Sequence, residues 1–574
     1  MKYLFLSLLL FTAVGAQAQT AQEIFQTAFN KAKNQDHAGA IIDYTRYITL
    51  NPNDRNAYYN RALSKENTKD YLGAIADYSK VIEINTGDFE AYNRRGIVKT
   101  NVQDYVGALA DFEIALSYKP LSAIIYYNRG ITKDKMKDNA GAIADNTRAI
   151  ELNANYADAY NNRGTIKNRI KDYAGAVADF DKTLSINPQY LNAYFNRGIA
   201  NENMKKYNDA LSDFSKFIAL SPNDYEAYLF RGNCHSNLND YNSAIMDYNK
   251  AIMLLGTYDK AFYKRGVAKE KLKDDAGAMA DYTKAIELNP KNAEYWNNRG
   301  VLKIAKQDYT GAFQDYTKAI EANPQLFNAY NNRGLIKHGN KDYAGALVDY
   351  NSALTINTQY VKCYFNRALT KEKLQDFSGA MADFNKAISL DTSYAQAYAF
   401  RGNRKHLMND LTGAMADLNK AVALNSKDPD AFYYRGMLRK KLDDRAGAIA
   451  DFTKAIELSP TDANSYFNRG EIRKMTNDLQ GALSDFTKVI SLNSTDIDAY
   501  FLRGVIKGMQ KDYAGAVLDY TKVIELDPND KYVYLNRGLN YVLLNQLTKA
   551  CADFKKSTEL GNQQAADYMK QYCK

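Results

Sequence analysis

The chain has 574 residues, among them 46 Tyr and 24 Phe against one Trp, with four Cys and four His. A hydrophobic share of 46% beside 25% charged residues excludes wholesale disorder and a multi-span membrane protein. The formal charge of +9 is spread over the whole length and supplies no clustered basic patch of the kind nucleic acid requires.

Met1-Lys2 gives a positive start, Tyr3 to Gly15 is a largely apolar run, and Ala16-Gln17-Ala18 forms a small-x-small cleavage site. Residues 1–18 therefore read as a secretory signal peptide, too short to span a bilayer. No Cys follows the cleavage site, so no lipid anchor is expected. The mature chain is expected to be exported, periplasmic or secreted, with no transmembrane segment and at most a peripheral association with the envelope.

From Ala21 the sequence repeats every 34 residues without insertion or deletion, giving sixteen repeats over 21–564 and a ten-residue tail, 565–574. Length thus counts stacked repeats (21–54, 55–88 and onward to 531–564), and the tandem array reads as one long domain. Numbered within each repeat, position 4 is aromatic in fifteen copies, position 8 is Gly in thirteen and Ala in three, and position 20 is Ala in all sixteen. Position 24 is aromatic in fourteen and position 32 is Pro in eight. Positions 4, 7, 8 and 11 form one stripe of a first helix, and positions 20, 24 and 27 one stripe of a second. Small residues at 8 and 20 allow close approach, while the rings at 4 and 24 fill the space beside it. Asp at position 16, present in fourteen repeats, sits where it can cap the second helix. Asn or Ser with Pro near positions 31 and 32 ends that helix. A helix pair of this size cannot bury its apolar face alone, so the repeats must stack.

This pattern resembles the tetratricopeptide repeat family, and the resemblance covers about 95% of the chain. It implies an all-α, right-handed superhelical solenoid of helix-turn-helix repeats whose concave groove, lined by the first helices, takes proteins or peptides. One departure stands out: position 7, often Leu in that family, is Arg in fifteen repeats, and position 23 is Asp in all sixteen. Unpaired charges there would be costly, which points to a structural ion-pair ladder, with a repeated anion-binding site as the lesser reading. Repeat 1 lacks the Arg (Thr27) yet keeps Asp43, so each Asp is expected to pair with the Arg of the following repeat, Asp43 with Arg61 and Asp77 with Arg95. By the same logic Asp553 is expected to meet Gln571 or Lys570. Lys or Arg at position 11, found in thirteen repeats, is expected to reach the same Asp or solvent.

The tail is expected to form a capping helix over 565–574 after the Gly561 turn. An antiparallel pair folded about that turn can bring Cys551 to Cys573, and an oxidising compartment permits their disulfide. Cys234 and Cys363 lie in repeats 7 and 11, too far apart to bond, and are expected to be free and buried.

The opposite face of the first helix carries positions 2, 5, 6, 9 and 13. Position 6 is Asn in nine repeats: Asn60, Asn128, Asn162, Asn196, Asn298, Asn332, Asn366, Asn468 and Asn536. Beyond Phe25 of repeat 1, position 5 is aromatic in eight repeats: Tyr59, Tyr127, Phe195, Tyr263, Phe365, Tyr433, Phe467 and Phe501. Such rows can hold a peptide backbone and anchor a partner, or they can join adjacent first helices; both readings stand. Family members that clamp a carboxyl terminus pair such an Asn with nearby basic residues, which are scattered here (Arg94, Lys260, Lys264, Lys362). His37, His235, His338 and His406 lie apart from any metal-ligand spacing, and no nucleophile motif or phosphate loop breaks the register. The expectation is a non-catalytic binding scaffold without cofactor or nucleic acid. The alternatives are a structural spacer or assembly subunit of an envelope complex, or a binder of envelope polysaccharide.

Overall fold

The computed structural model describes residues 20–573, so the leader read at 1–18 lies outside the described residues. These form 33 helices and no strand, and divide into two compact halves between Asn289 and Pro290. Each repeat contributes a first helix at positions 1–13, such as Arg55–Asn67, and a second at positions 17–30, such as Tyr71–Ile84.

The Asp at position 16 sets the start of the second helix. In all fourteen repeats that carry it, its carboxylate accepts a hydrogen bond from the backbone N–H of position 19, as Asp70 does from Gly73 at 3.0 Å. At Gly73 a Cβ would stand 2.1 Å from the Asp70 carboxylate, yet Ser243 at the same position of repeat 7 keeps the bond at 3.1 Å, so glycine eases the cap without being required for it. Repeats 6 and 16 have Lys206 and Gln546 at the cap position and lack the side-chain bond.

Inside each repeat the second helix presses its position-24 ring against the position-8 glycine. A Cβ at Gly232 would lie 2.6 Å from the Tyr248 ring, and one at Gly300 2.7 Å from Tyr316. The rings are buried, Tyr78, Phe112 and Tyr350 completely, as are the position-20 alanines. Repeat 4 breaks the pattern with Asn146, which is buried, donates to the Ala142 carbonyl at 2.8 Å and accepts from Asn162 at 3.4 Å. Repeat 12 has Leu418 at this position.

The turn joining the two helices has a feature that the sequence pattern does not announce. Position 15 is left-handed in all sixteen repeats although no glycine stands there, for example Lys69 (φ 62°), Lys171 (φ 68°) and Asn409 (φ 64°). The conformation lets the position-16 amide bond back to the carbonyl of position 11, as Asp70 N does to Lys65 at 2.8 Å.

At the end of the chain Gly561 (φ 88°) makes the turn, and Asn562 caps a helix over Gln563–Tyr572, two residues ahead of the expected start. Tyr568 stacks on Phe554 at 5.8 Å, and Cys551 is disulfide-bonded to Cys573 with their Cα atoms 5.6 Å apart. Cys234 and Cys363 are free and buried.

A left-handed non-glycine residue is strained by about 1 kcal/mol or more. Lys171→Gly is therefore expected to stabilise the first half by about 0.5–1 kcal/mol in chemical denaturation, and Lys171→Val to destabilise it. The opposite ranking would remove strain as the account of this turn.

Candidate functional site

The charged residues on the inner stripe determine what the outer face can offer. In fifteen repeats the position-7 guanidinium makes a bidentate pair with the Asp at position 23 of its own repeat, as Arg61 does with Asp77 at 2.8 and 2.6 Å and Arg333 with Asp349 at 2.9 and 2.7 Å. The expected wiring of each Asp to the following repeat is thus corrected. The two helices of one repeat are in closest contact where positions 8 and 20–24 meet, and this carries position 7 directly onto position 23. Asp43, which has no Arg in its repeat, is met by Lys31 at 2.7 Å, and Asp553 is held by Arg537, while Lys570 lies 3.6 Å from Asp567.

The position-11 cation completes a three-membered cluster: Lys65 lies 2.9 Å from Asp77, and Arg439 2.8 Å from Asp451. Repeat 6 has Asn201 instead, and there burial pushes the Asp213 carboxyl above the usual carboxylate range. In most repeats the remaining guanidinium nitrogen reaches back to position 25 of the preceding repeat, as Arg61 Nη1 does to Thr45 at 3.1 Å and Arg367 Nη1 to Asn351 at 2.7 Å. Each Arg also lies over the position-4 ring, Arg299 5.0 Å from Trp296 and Arg129 5.4 Å from Tyr126. The hydrogen bond donated to Asp349 raises the Arg333 pKa above its ordinary value.

On the outer face most of the position-6 amides bond to neighbouring residues. Asn128, Asn332 and Asn366 donate to Asn93, Asn297 and Asn331 of the preceding repeat at 3.0, 3.2 and 3.0 Å. Asn162 reaches Asn146 and Asn196 reaches Thr165 at 3.3 Å. Asn468 and Asn536 donate to carbonyls of their own helices, and Asn298 accepts from Asn297 at 3.2 Å. The side-chain amide of Asn60 makes no such bond, although the Asn60 backbone carbonyl accepts from the Ser64 hydroxyl at 3.1 Å.

The position-5 rings turn inward. Seven lie against the position-24 ring of their own repeat, from Tyr59 on Tyr78 (5.6 Å) to Phe365 on Phe384 (6.0 Å). Tyr127, whose repeat has Asn146 there, packs on Tyr156 at 5.0 Å. Phe365 is buried and the other seven rings are half-buried, so these residues form the floor of the face and are not projecting anchors.

What remains open is a set of clefts between neighbouring first helices. Between repeats 9 and 10 a cleft of about 530 Å³ is lined by Val301, Ile304, Leu335, Ile336 and Tyr309, with the amides of Asn332 and Asn340 at its margin. Val301 and Leu335 are 43% and 44% exposed, which marks an unpartnered apolar wall. Gly339 adds to the opening, since a Cβ there would meet nothing within 4 Å. Between repeats 6 and 7 a second cleft, about 400 Å³, contains Glu202, whose carboxyl burial pushes up to about 7. Positions 9, 12 and 13, which shape these clefts, vary from repeat to repeat; in the sequence that variation against a fixed framework is the signal that marks them.

His338 Nδ1 lies 2.8 Å from the Thr370 hydroxyl, and burial lowers the pKa of both His338 and His406. Among the described residues no group of three or more His, Cys, Asp or Glu is placed to hold a metal ion, and no helix is long and apolar enough to cross a membrane.

Two family models, both described as tetratricopeptide repeat, match the chain. One matches residues 56–88, 157–190, 191–224, 225–254, 259–292, 361–394, 429–462 and 497–530, and the other 281–314 and 452–484, together more than half of its length. No curated protein matches by sequence. Among solved structures, the Cut9-Hcn1 hetero-tetramer of APC/C is similar at 15% identity and TM-score 0.39, over 86% of this chain and 98% of that one. A tetratricopeptide repeat protein from Parabacteroides merdae is similar at 24% identity and TM-score 0.33, over 43% and 98%. YrrB, a TPR protein with an unusual peptide-binding site, is similar at 26% identity and TM-score 0.29, over 32% and 95%. At these TM-scores the likenesses carry no argument about this chain's ligand.

Two expectations follow. A double-mutant cycle of Arg333→Met and Asp349→Asn should give a coupling of about 2–4 kcal/mol, with none between Arg333 and Asp315 of the preceding repeat; the reverse would restore the wiring between repeats. For Glu202, the raised pKa means that the folded state favours the neutral acid, so its stabilising effect is complete below the unfolded pKa and is lost as pH rises through about 7. Glu202→Gln should therefore match the wild type at low pH and exceed it by about 1–3 kcal/mol at pH above 8 in chemical denaturation; equal stability at both ends would show that burial does not perturb this carboxyl.

Proposed function

The chain belongs to the tetratricopeptide repeat family, and from that premise we propose that it is a non-catalytic scaffold that holds protein or peptide partners on the outer face of its first helices. The observation that carries this reading is the apolar cleft between repeats 9 and 10, where Val301 and Leu335 are left exposed beside half-buried Ile304 and the Asn332 and Asn340 amides. An apolar pocket with a few polar groups at its margin suits a bulky side chain of a partner and the backbone on either side of it. The fixed pair at positions 7 and 23 and the contacts made from positions 5 and 6 hold the first helices in register, and the residues at 9, 12 and 13 give each cleft its own chemistry.

We place this activity outside the cytoplasm. The leader-like residues 1–18 support export, and the disulfide between Cys551 and Cys573 suits an oxidising compartment.

Leu335→Glu sets a charge in the cleft at an exposed position, so the fold should be kept. Capture of partners from extracellular and envelope extracts, followed by binding measurements with each purified partner, should show affinity reduced by at least about tenfold. Leu518→Glu, at a 71% exposed position on a second helix, serves as the control and should bind as the wild type does. Partners that bind both variants equally would rule this cleft out as the docking site.

A further inference from the structure

Position 12 lies in the last turn of the first helix, beside the next repeat, and carries a carboxylate in five repeats. Four of the five are answered by a donor. Tyr78 donates to Glu66, with Arg94 3.8 Å away, and Tyr282 donates to Glu270 at 2.7 Å. Arg169 pairs with Asp134, and Arg404 with Glu372. Glu202 makes no hydrogen bond or ion pair with any described residue.

The reason can be read position by position. Where Tyr78 and Tyr282 stand, this repeat has Phe214. Where Arg94, Arg404 and Arg169 stand in their repeats, repeat 7 has Phe230, Cys234 and Asn237. Every donor that satisfies the carboxylate elsewhere is replaced here by a residue that does not reach it.

Glu202 opens instead into the cleft between repeats 6 and 7, with Ile199, Tyr207, Phe230 and Asn237 among its lining residues. Phe230 is fixed in place by stacking on Phe214 at 5.7 Å and by an edge contact with Phe195 at 5.4 Å. Lys264 of repeat 8 is close enough to lower the carboxyl pKa but forms no ion pair with it, and the exposed Lys205 stands at the rim. A partly desolvated carboxylate gains most from a cation that brings its own hydrogen bonds, and ring faces beside it attract the same charge.

We propose that the cleft between repeats 6 and 7 binds a primary ammonium or guanidinium group, which pairs with Glu202 against Phe230 and Tyr207. Ile199 offers an apolar surface for the methylene stem of such a group. A lysine or arginine side chain of a partner and a free alkylamine share this chemistry. The site does not depend on the apolar cleft of repeats 9 and 10, and Leu335→Glu should leave it unaffected.

Calorimetric titration of the full chain with acetyl-Gly-Lys-Gly-amide, its norleucine analogue and n-butylammonium tests the assignment. The lysine peptide should bind at least about tenfold more tightly than the norleucine peptide, a difference of about 1.4 kcal/mol. Glu202→Gln should abolish that preference and Phe230→Leu reduce it about threefold, with circular dichroism unchanged in both. If n-butylammonium binds as tightly as the peptide, the ligand is a free amine; a stronger peptide identifies a partner's side chain. The proposal is overturned by the absence of any preference for the cationic probes over norleucine, or by a preference that survives in Glu202→Gln.

Discussion

The buried Asp at position 23 is the group on which every repeat depends. A carboxylate buried between two helices must be answered by paired charge, and in most repeats the answer is a bidentate Arg from position 7 and a cation from position 11 of the first helix. That demand fixes the rotation of the first helix about its axis, because both cations must point at one spot. Once they do, the Gly at position 8 is carried against the ring at position 24, and the ring at position 4 is left to cover the guanidinium. The third guanidinium nitrogen, bonded to position 25 of the preceding repeat, carries the same orientation from one repeat to the next. Polar geometry sets the register, and apolar burial supplies most of the stabilisation.

Several elements were legible in the residues alone. The repeat length, both helices of each repeat, the aspartate caps at position 16 and the proximity of Cys551 to Cys573 follow from spacing, since each rests on contacts within one repeat or one hairpin. The partner of each Asp was harder to read. Thr27 beside Asp43 suggested a link to the next repeat, yet Lys31 at position 11 already supplied the missing charge. The same limit applies to the outer face. Periodicity places Asn366 and Phe365 on the side away from the second-helix stripe, but how near adjacent first helices come depends on the tilt between repeats. That tilt brings Asn366 onto Asn331 and Phe365 onto Phe400. The turn at position 15 was invisible for another reason: Lys171 or Gln103 in a left-handed conformation has no sequence signature, whereas glycine would have had one.

The face that results separates framework from variation. Positions 4, 5, 7, 8, 20, 23 and 24 are committed mainly to the interior of the repeat, and position 6 largely to its neighbour. The residues left free to differ without disturbing the stack are those at positions 9, 12 and 13, which explains why one cleft is walled by Val301 and Leu335 while another holds an unanswered Glu202. A scaffold built in this way can change what it recognises at one cleft while the rest of the array is unaltered.

Repeat 4 shows what happens where the interior itself changes. Asn146 sits at a position that a ring fills in fourteen repeats, and its amide is satisfied by the Ala142 carbonyl and by Asn162 of the next repeat. An amide contributes far less apolar burial than a ring, so at this position repeat 4 buries less apolar surface than repeats 3 and 5, which have Phe112 and Phe180. In a linear stack each repeat is supported only by its immediate neighbours, and the thinnest link decides where the array parts. Repeat 4 is therefore expected to open more readily than repeats 3 and 5, which would divide the first half into two cooperative segments.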